Sequence, residues 1–268
     1  MSLSLNEIKR YSRQLVLPDL GAREQKKLKN AKVAVTGAGG LGCPIATYLT
    51  LAGVGRIDII DMDKADLTNL NRQFLYTPED EGKVKVEVAA ERLNAINPEL
   101  EINGINEMIT YDNAFDLLKG YDAVVDGTDN FPVRYAINDA CMVNLVPLFH
   151  GAVLMYEGRA MSIIPKETAC FRCAFPEAPP AGSVPTCREA GVIGAMTGLI
   201  GSLQSMEAIR YLAGLPISLK NRLLVINIDI GSFETIALRR RPDCSACGEK
   251  FIPKPVAEIC ETRSEADE

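Results

Sequence analysis

The stretch that most restricts the fold is Lys32-Val-Ala-Val-Thr36, followed without a gap by Gly37-Ala-Gly39-Gly40-Leu-Gly42. A short apolar run of this kind predicts a buried parallel strand. The glycines let backbone approach a phosphate chain, and the apolar helix expected from about Leu41 to Ala52 offers its N-terminus to negative charge. Gly55-Arg-Ile-Asp-Ile-Ile-Asp61 predicts a second strand ending in acid, with Asp61 where a carboxylate can bind ribose hydroxyls. Strand, glycine turn, helix and strand in this order make the βαβ unit of a doubly wound sheet. On these residues alone, NAD is predicted as readily as ATP.

The alternation continues along the chain. Helix is expected over Lys83 to Ala95, an extended segment over Glu101 to Ile105, and helix over Asn113 to Lys119. A buried strand at Tyr121-Asp-Ala-Val-Val-Asp126 precedes a helix to about Asn144 and a strand near Val146 to Gly151. After Gly151 the pattern turns antiparallel. Ala152 to Pro165 reads as hairpin strands about a turn at Glu157-Gly158, and Leu223 to Leu238 as another pair about Asp229 to Gly231. The expected fold is α/β, a Rossmann-like doubly wound sheet, mostly parallel in the first half with antiparallel strands added in the second. A single domain is expected over residues 1–250, with a nucleotide-binding half at about 30–150 and a partner-binding, zinc-bearing half at about 151–250. Phe175 to Glu189, rich in Pro, Ala and Gly, is expected to be a long mobile loop, and 251–268 a disordered tail.

With 268 residues, 47% of them apolar and 24% charged, the chain is long enough to bury such a core. A formal charge of −6 argues against nucleic acid or an anionic membrane as the main partner. The uncharged run from Ala190 to Met206 is shorter than the ~20 residues of a bilayer span and is interrupted by glycines, so a buried core or interface helix is expected. Met1 to Arg10 lacks the continuous apolar stretch of a secretory signal, and a cytoplasmic protein is expected. Of eight cysteines, four form two C-x-x-C pairs, Cys170 with Cys173 and Cys244 with Cys247. Two such knuckles in an intracellular-looking chain read as a four-thiolate zinc site, closed and therefore structural. A redox C-x-x-C is the alternative. Cys43, Cys141 and Cys260 belong to no motif.

Two further loops carry chemistry. Asn69-Leu-Asn71-Arg72-Gln73 sets an amide-rich, cationic segment near the nucleotide crevice, and Gly82-Lys-Val-Lys85 opens a helix with another cation. A dehydrogenase has no evident need for Arg13, Arg72 and Lys85 together. A triphosphate losing pyrophosphate needs such charges on its oxygens and leaving group. Asp126-Gly-Thr-Asp129-Asn130 stands at the carboxyl end of a buried strand, where open parallel sheets bind ligands. Asp129 is expected either to hold Mg²⁺ against phosphates or to cap the helix beginning near Phe131. The single histidine, His150, lies in an apolar strand and is expected to be structural.

From Ile8 to Gly248 the sequence closely resembles the MoeB/ThiF/HesA family, bacterial and archaeal relatives of ubiquitin-activating enzymes. The resemblance rests on Arg10-Tyr-Ser-Arg13-Gln14, Gly37-Ala-Gly-Gly-Leu-Gly42, Asp61-Met-Asp63, Asn69-Leu-Asn-Arg72-Gln73, Gly82-Lys-Val-Lys85, Asp126-Gly-Thr-Asp129-Asn130 and both C-x-x-C pairs. It implies binding of Mg·ATP and formation of a mixed anhydride between AMP and the C-terminal glycine of a small ubiquitin-like carrier. Asp61 is then implied to bind ribose, Arg72 and Lys85 to hold phosphates, and Asp129 to serve the metal beside Asn130. Asp63, Asn69 and Gln73 belong to the same nucleotide motifs. Arg13 is implied to enter from the other subunit of a homodimer. Cys187, in Thr186-Cys187-Arg188, matches a family cysteine that in some relatives takes the activated carrier and in others is dispensable; Arg188 can favour its thiolate.

The resemblance further implies that the carrier ends in Gly-Gly and that a separate cysteine desulfurase or rhodanese supplies sulfur. Two other classes stay open on sequence: an NAD-dependent oxidoreductase, and a non-catalytic zinc-bearing adaptor for a ubiquitin-like protein.

Overall fold

The computed structural model describes residues 3–180, 190–252 and 254–256. Three short helices, α1 (Leu5–Arg10), α2 (Ser12–Leu15) and α3 (Ala22–Asn30), precede the first strand. The βαβ unit then appears as β1 (Lys32–Thr36), α4 (Gly42–Ala52) and β2 (Arg56–Ile60), with Asp61 just past the strand end. Helix α4 tolerates Pro44 because its first turn has no amide to lose, and it stops at Gly53, whose φ of 84° suits glycine. Next come α5 (Lys85–Ile96), β3 (Glu101–Ile105), α6 (Ala114–Leu117), β4 (Ala123–Asp126) and α7 (Phe131–Asn144). Asn130 caps α7, its side chain accepting from the Val133 N–H, with Pro132 in the first turn.

The second half supplies β5 (Leu148–Leu154), β6 (Glu157–Ile163), α8 (Phe171–Ala174), α9 (Gly194–Ala213), β7 (Arg222–Asn227) and β8 (Ser232–Ala237). All eight strands form one sheet in the order β3-β2-β1-β4-β5-β6-β7-β8. Strands β1 to β5 pair in parallel and β5 to β8 antiparallel, the change occurring at β5, which is parallel to β4 and antiparallel to β6. The sequence split β5 in two, and it placed the hairpin turn two residues late. Leu154 pairs directly with Glu157, so the turn is Met155-Tyr156, with Met155 at φ 53°.

The run around Ala190 to Met206 belongs to α9, whose Ile200 and Ala208 are fully buried in the core shared by α4 and β1. Burying a side chain the size of Ile200 contributes about 1.5–3 kcal/mol. No described helix is long and apolar enough to cross a membrane. Most of the expected mobile loop and of the tail lies outside the described residues.

Chain reversal in the strand order falls between β1 and β4, because β1 leads outward to β2 and β3 while β4 leads the other way. Such a switch point leaves a crevice at the carboxyl ends of the strands.

Candidate functional site

The glycine turn, 37–42, leaves β1 at that crevice. Gly37 has φ 91°, and its N–H donates to the Ile60 carbonyl at 2.8 Å. A Cβ on Gly42 would lie 1.9 Å from the Gly37 carbonyl oxygen, so the turn closes only with glycine there. Opposite, Gly127 packs its backbone against Thr36 and Gly42.

Asp61 is tied into the turn. Its carboxylate accepts from the Ala38 N–H at 2.7 Å and from the Asp63 N–H at 2.7 Å. Burial raises its pKa, and these two amides oppose the rise. The 69–73 loop closes another side: a Cβ on Gly39 would meet Gln73 Nε2 at 3.5 Å, and one on Gly40 would meet Arg72 Cγ at 3.4 Å. Gln73 is buried with Oε1 lacking a partner, an orphan acceptor beside the glycine turn. The Arg72 Nη1 donates to the Thr68 carbonyl at 3.1 Å and to Asn71 Oδ1 at 3.0 Å. Asn69 accepts from the Arg72 and Gln73 amides through its carbonyl, so it shapes the loop with its backbone.

Lys85 begins α5, and its Nζ lies 2.9 Å from Asp63 Oδ2. The lysine side chain is 3% exposed and the aspartate 58%, so a cation sits inside the crevice with its counter-charge at the mouth. Beyond β4, Asp129 is exposed and Asn130 is the helix cap, which settles the alternative cap role in favour of Asn130. The structure thus gathers Gly37, Gly39, Gly40, Gly42, Asp61, Asp63, Asn69, Arg72, Gln73 and Lys85 about one crevice that the 126–130 loop borders.

Arg13 is elsewhere. Tyr11 and Gln14 bind the opposite, C-terminal end of α4: a Cβ on Gly53 would meet Tyr11 Cζ at 2.5 Å, and Gln14 donates to the Ala52 carbonyl at 3.2 Å. Arg13, between them, is exposed, and the end of α4 that anchors its segment is a helix length (~16 Å) from the glycine turn. Cys187 lies outside the described residues.

A second cluster gathers Cys170, Cys173, Cys244 and Cys247, with all four sulfurs within 4.8 Å of one another. Neighbouring separations are 3.3, 3.5 and 3.9 Å, too long for S–S bonds of about 2.05 Å. They match the roughly 3.8 Å edge of a thiolate tetrahedron around zinc. The Arg241 N–H points at Cys173 Sγ (3.4 Å), which suits a thiolate. Cys43 and Cys141 are buried singly, and burial pushes the Cys43 thiol up to about 12.

The ThiF family matches this sequence over residues 11–246, a span that holds every motif of the crevice and three of the four clustered thiols, Cys247 lying one residue beyond it. The chain belongs to the ThiF family. It is 42% identical over 93% of its length to a sulfur carrier protein adenylyltransferase of Thermus thermophilus, covering 94% of that protein. It is 45% identical over 92% of its length to adenylyltransferase and sulfurtransferase MOCS3 of Culex quinquefasciatus, of which it spans 57%. Among solved structures, Escherichia coli MccB with ATP matches at a TM-score of 0.80 and 25% identity, over 89% of this chain and 74% of that one.

Sequence reasoning about the ThiF-family crevice missed two residues. Tyr76 donates from its hydroxyl to the Ala38 carbonyl at 2.8 Å, under the glycine turn. Thr197, on α9, fills the space above Gly40, where a Cβ would meet its Cγ2 at 3.0 Å. Neither belongs to a local pattern; Thr197 is hidden in a run that reads only as core helix.

Proposed function

We propose that this chain is an ATP-dependent adenylyltransferase that activates the C-terminal glycine carboxylate of a small ubiquitin-like sulfur-carrier protein. The observation that carries this reading is near-full-length similarity to a sulfur carrier protein adenylyltransferase, in a chain whose crevice joins a glycine turn to a buried lysine. The same similarity favours it over the oxidoreductase and adaptor alternatives.

In the reaction, a carboxylate oxygen of the carrier bonds to the α-phosphorus of ATP while the bond from that phosphorus to the bridging oxygen breaks. Pyrophosphate departs with the electron pair. The glycine carboxylate is already ionised at neutral pH, so no general base is required. Positioning and charge stabilisation carry the catalysis. Backbone of the 37–42 turn cradles phosphates, Asp61 accepts from ribose hydroxyls, and Gln73 offers its unpaired Oε1 within the loop. Asp63 holds Lys85 in place until phosphate oxygens compete for it, and Arg72 meets the same oxygens from the 69–73 loop. Asp129, with Asn130 beside it, would hold magnesium, which when bound neutralises charge on the phosphates. Arg13 acts from the partner subunit of a homodimer.

Zinc, held by Cys170, Cys173, Cys244 and Cys247, would contribute folding energy and leave no open position for chemistry. We read residues 1–250 as one domain, with the carrier docking on the second half, where Ile228, Ile230 and Phe233 are exposed. Cys187 is proposed as the thiol that can take the activated carrier. A separate cysteine desulfurase or rhodanese supplies sulfur, and the protein works in the cytoplasm.

The test is exchange of labelled pyrophosphate into ATP in the presence of Mg²⁺ and a carrier ending in Gly-Gly. Carrier-dependent exchange is expected, abolished by Asp129→Ala without loss of fold. Absence of exchange with every such carrier, in protein that binds ATP, overturns the reading.

A further inference from the structure

His150 and Asp126 form a buried pair that adenylation chemistry does not itself use. They face each other across neighbouring parallel strands, β4 and β5. Nδ1 of His150 lies 2.7 Å from Asp126 Oδ2. Their side chains are 3% and 1% exposed. Burial raises the carboxyl pKa of Asp126, but contacts with His150, Arg134 and Thr128 outweigh it and the net direction is down. An ionised carboxylate only accepts, so Nδ1 carries the proton of this bond. Burial in turn keeps the imidazole below its ordinary pKa, against the pull of Asp126.

The other oxygen of Asp126 points along the chain. It accepts from the Thr128 N–H at 2.9 Å and from the Thr128 hydroxyl at 2.6 Å. The Thr128 carbonyl accepts from Arg134 Nη2 at 2.8 Å. Gln204, on α9, donates to the Asp126 carbonyl at 2.7 Å and to the Phe149 carbonyl at 3.0 Å. Two residues beyond Thr128, Asn130 is fixed as the cap of α7. Asp129 therefore sits between two pinned neighbours while its own side chain faces solvent. The ring of Phe171 packs edge-on against the imidazole at 4.7 Å.

We propose that His150 is a positioning residue, holding Asp126 in the rotamer that fixes Thr128 and so the turn that presents Asp129 to a magnesium–nucleotide complex. This deepens the adenylation reading and takes the role of Asp129 from it. A general-base role does not fit, because the imidazole is 3% exposed and the attacking glycine carboxylate is already ionised, with no proton to give up. Without His150, a buried carboxylate oxygen loses its partner, and Asp126 must protonate or turn. Thr128 moves with it, and a shift of about 1 Å at a catalytic group costs ~10²-fold in rate.

His150 is the only histidine in the chain, so a ¹⁵N-histidine-labelled sample shows one imidazole by NMR. The wild-type spectrum is expected to show the Nδ1–H tautomer and to shift on adding Mg²⁺ with a non-hydrolysable ATP analogue, more than with the analogue and EDTA. An Nε2–H tautomer, or ring signals that Mg²⁺–nucleotide leaves unmoved, overturns the proposal without reference to any variant.

In pyrophosphate exchange, His150→Leu is expected to lower the maximal rate by about 10²-fold and to raise the Mg²⁺ concentration needed for half-maximal rate several-fold. His150→Asn, whose amide can still donate to Asp126, should recover most of both. Leu28→Ala, a core change on α3, should lower Tm without moving the Mg²⁺ requirement. Loss of exchange that tracks Tm alone, unrescued by His150→Asn, makes the histidine merely structural and ends the proposal. If wild-type protein exchanges with no carrier, the adenylation reading fails, and the NMR result decides the positioning role by itself.

Discussion

The Cβ that Gly37 lacks would lie 2.8 Å from the carbonyl oxygen of Gly127. The ends of β1 and β4 thus meet backbone to backbone, and this contact sets the glycine turn against the loop that carries Asp129. Gly37 also needs φ 91°, which costs an L-residue of order 1–3 kcal/mol. Gly37→Ala is therefore expected to lose Mg·ATP binding by at least tenfold and to lower Tm. Isothermal titration and a thermal melt check both; unchanged affinity would show that the contact does not set the crevice.

How much of this was legible in the sequence follows from the range of the interactions. The βαβ unit and the crevice loops were readable because each rests on a local pattern: glycines at fixed offsets, acid at a strand end, a cation opening a helix. The Met155-Tyr156 turn was not, because nothing in those two residues signals a turn and Glu157-Gly158 does. Pairing of Leu154 with Glu157 is decided by the neighbouring strands. Tyr76, Thr197 and Gln204 reach the site from 38 residues away or more, through contacts with Ala38, Gly40 and Asp126. Asp126 and His150 were both visible as residues, but only the strand order makes them partners. The buried pair of Asp139 with Arg172, at 2.7 Å, was likewise unreadable, since its members stand 33 residues apart.

Metal content tests the thiol cluster. Sulfurs 3.3–3.9 Å apart without bonds repel once ionised unless a cation lies among them. Purified protein is expected to hold close to one zinc per chain. Cys244→Ser should lose the metal and lower Tm, at roughly 2–4 °C per kcal/mol for a chain of this size. Chelation of the wild-type protein should reproduce the shift. Disulfides among these four thiols in freshly reduced protein would refute the assignment.

Stability should also carry an acid limb from Asp80, which anchors the segment between Gln73 and Lys85. Its carboxylate accepts from the Thr77 N–H at 2.8 Å and hydroxyl at 2.9 Å, and it pairs with Lys83 at 3.1 Å and with Arg92. The Thr77 amide, foremost, holds its pKa well below the usual range, although burial opposes this. A depressed folded pKa stabilises the fold above the unfolded value, near 3.9, and the benefit disappears as pH falls through the folded value. Asp80→Asn should cost about 1–3 kcal/mol at pH 7. The gap between wild type and variant in urea melts should narrow as pH drops below about 4. A gap that stays constant down to acid unfolding would mean that the charge of Asp80 contributes nothing.

Arg13 provides the sharpest test of how two subunits would share a site. Tyr11 accepts from Asn97 Nδ2 at 2.9 Å, and Gln14 donates to Gln25 Oε1 at 2.8 Å, so both anchor their segment to the body of their own chain. The arginine between them faces solvent at the end of α4 remote from the glycine turn. Reaching its own crevice would require it to cross about 16 Å of helix. Reaching a partner's requires only that a second chain present its crevice to this surface. There a guanidinium would meet the charge that develops as pyrophosphate leaves. Arg13→Ala and Lys85→Ala are each expected to be nearly inactive in pyrophosphate exchange when they pair with themselves. A heterodimer of the two has one crevice lacking both cations and one with both intact. Mixing the variants under conditions of subunit exchange should therefore restore up to half of the wild-type activity per heterodimer. If tagged subunits are shown to exchange and activity stays absent, Arg13 does not act across an interface.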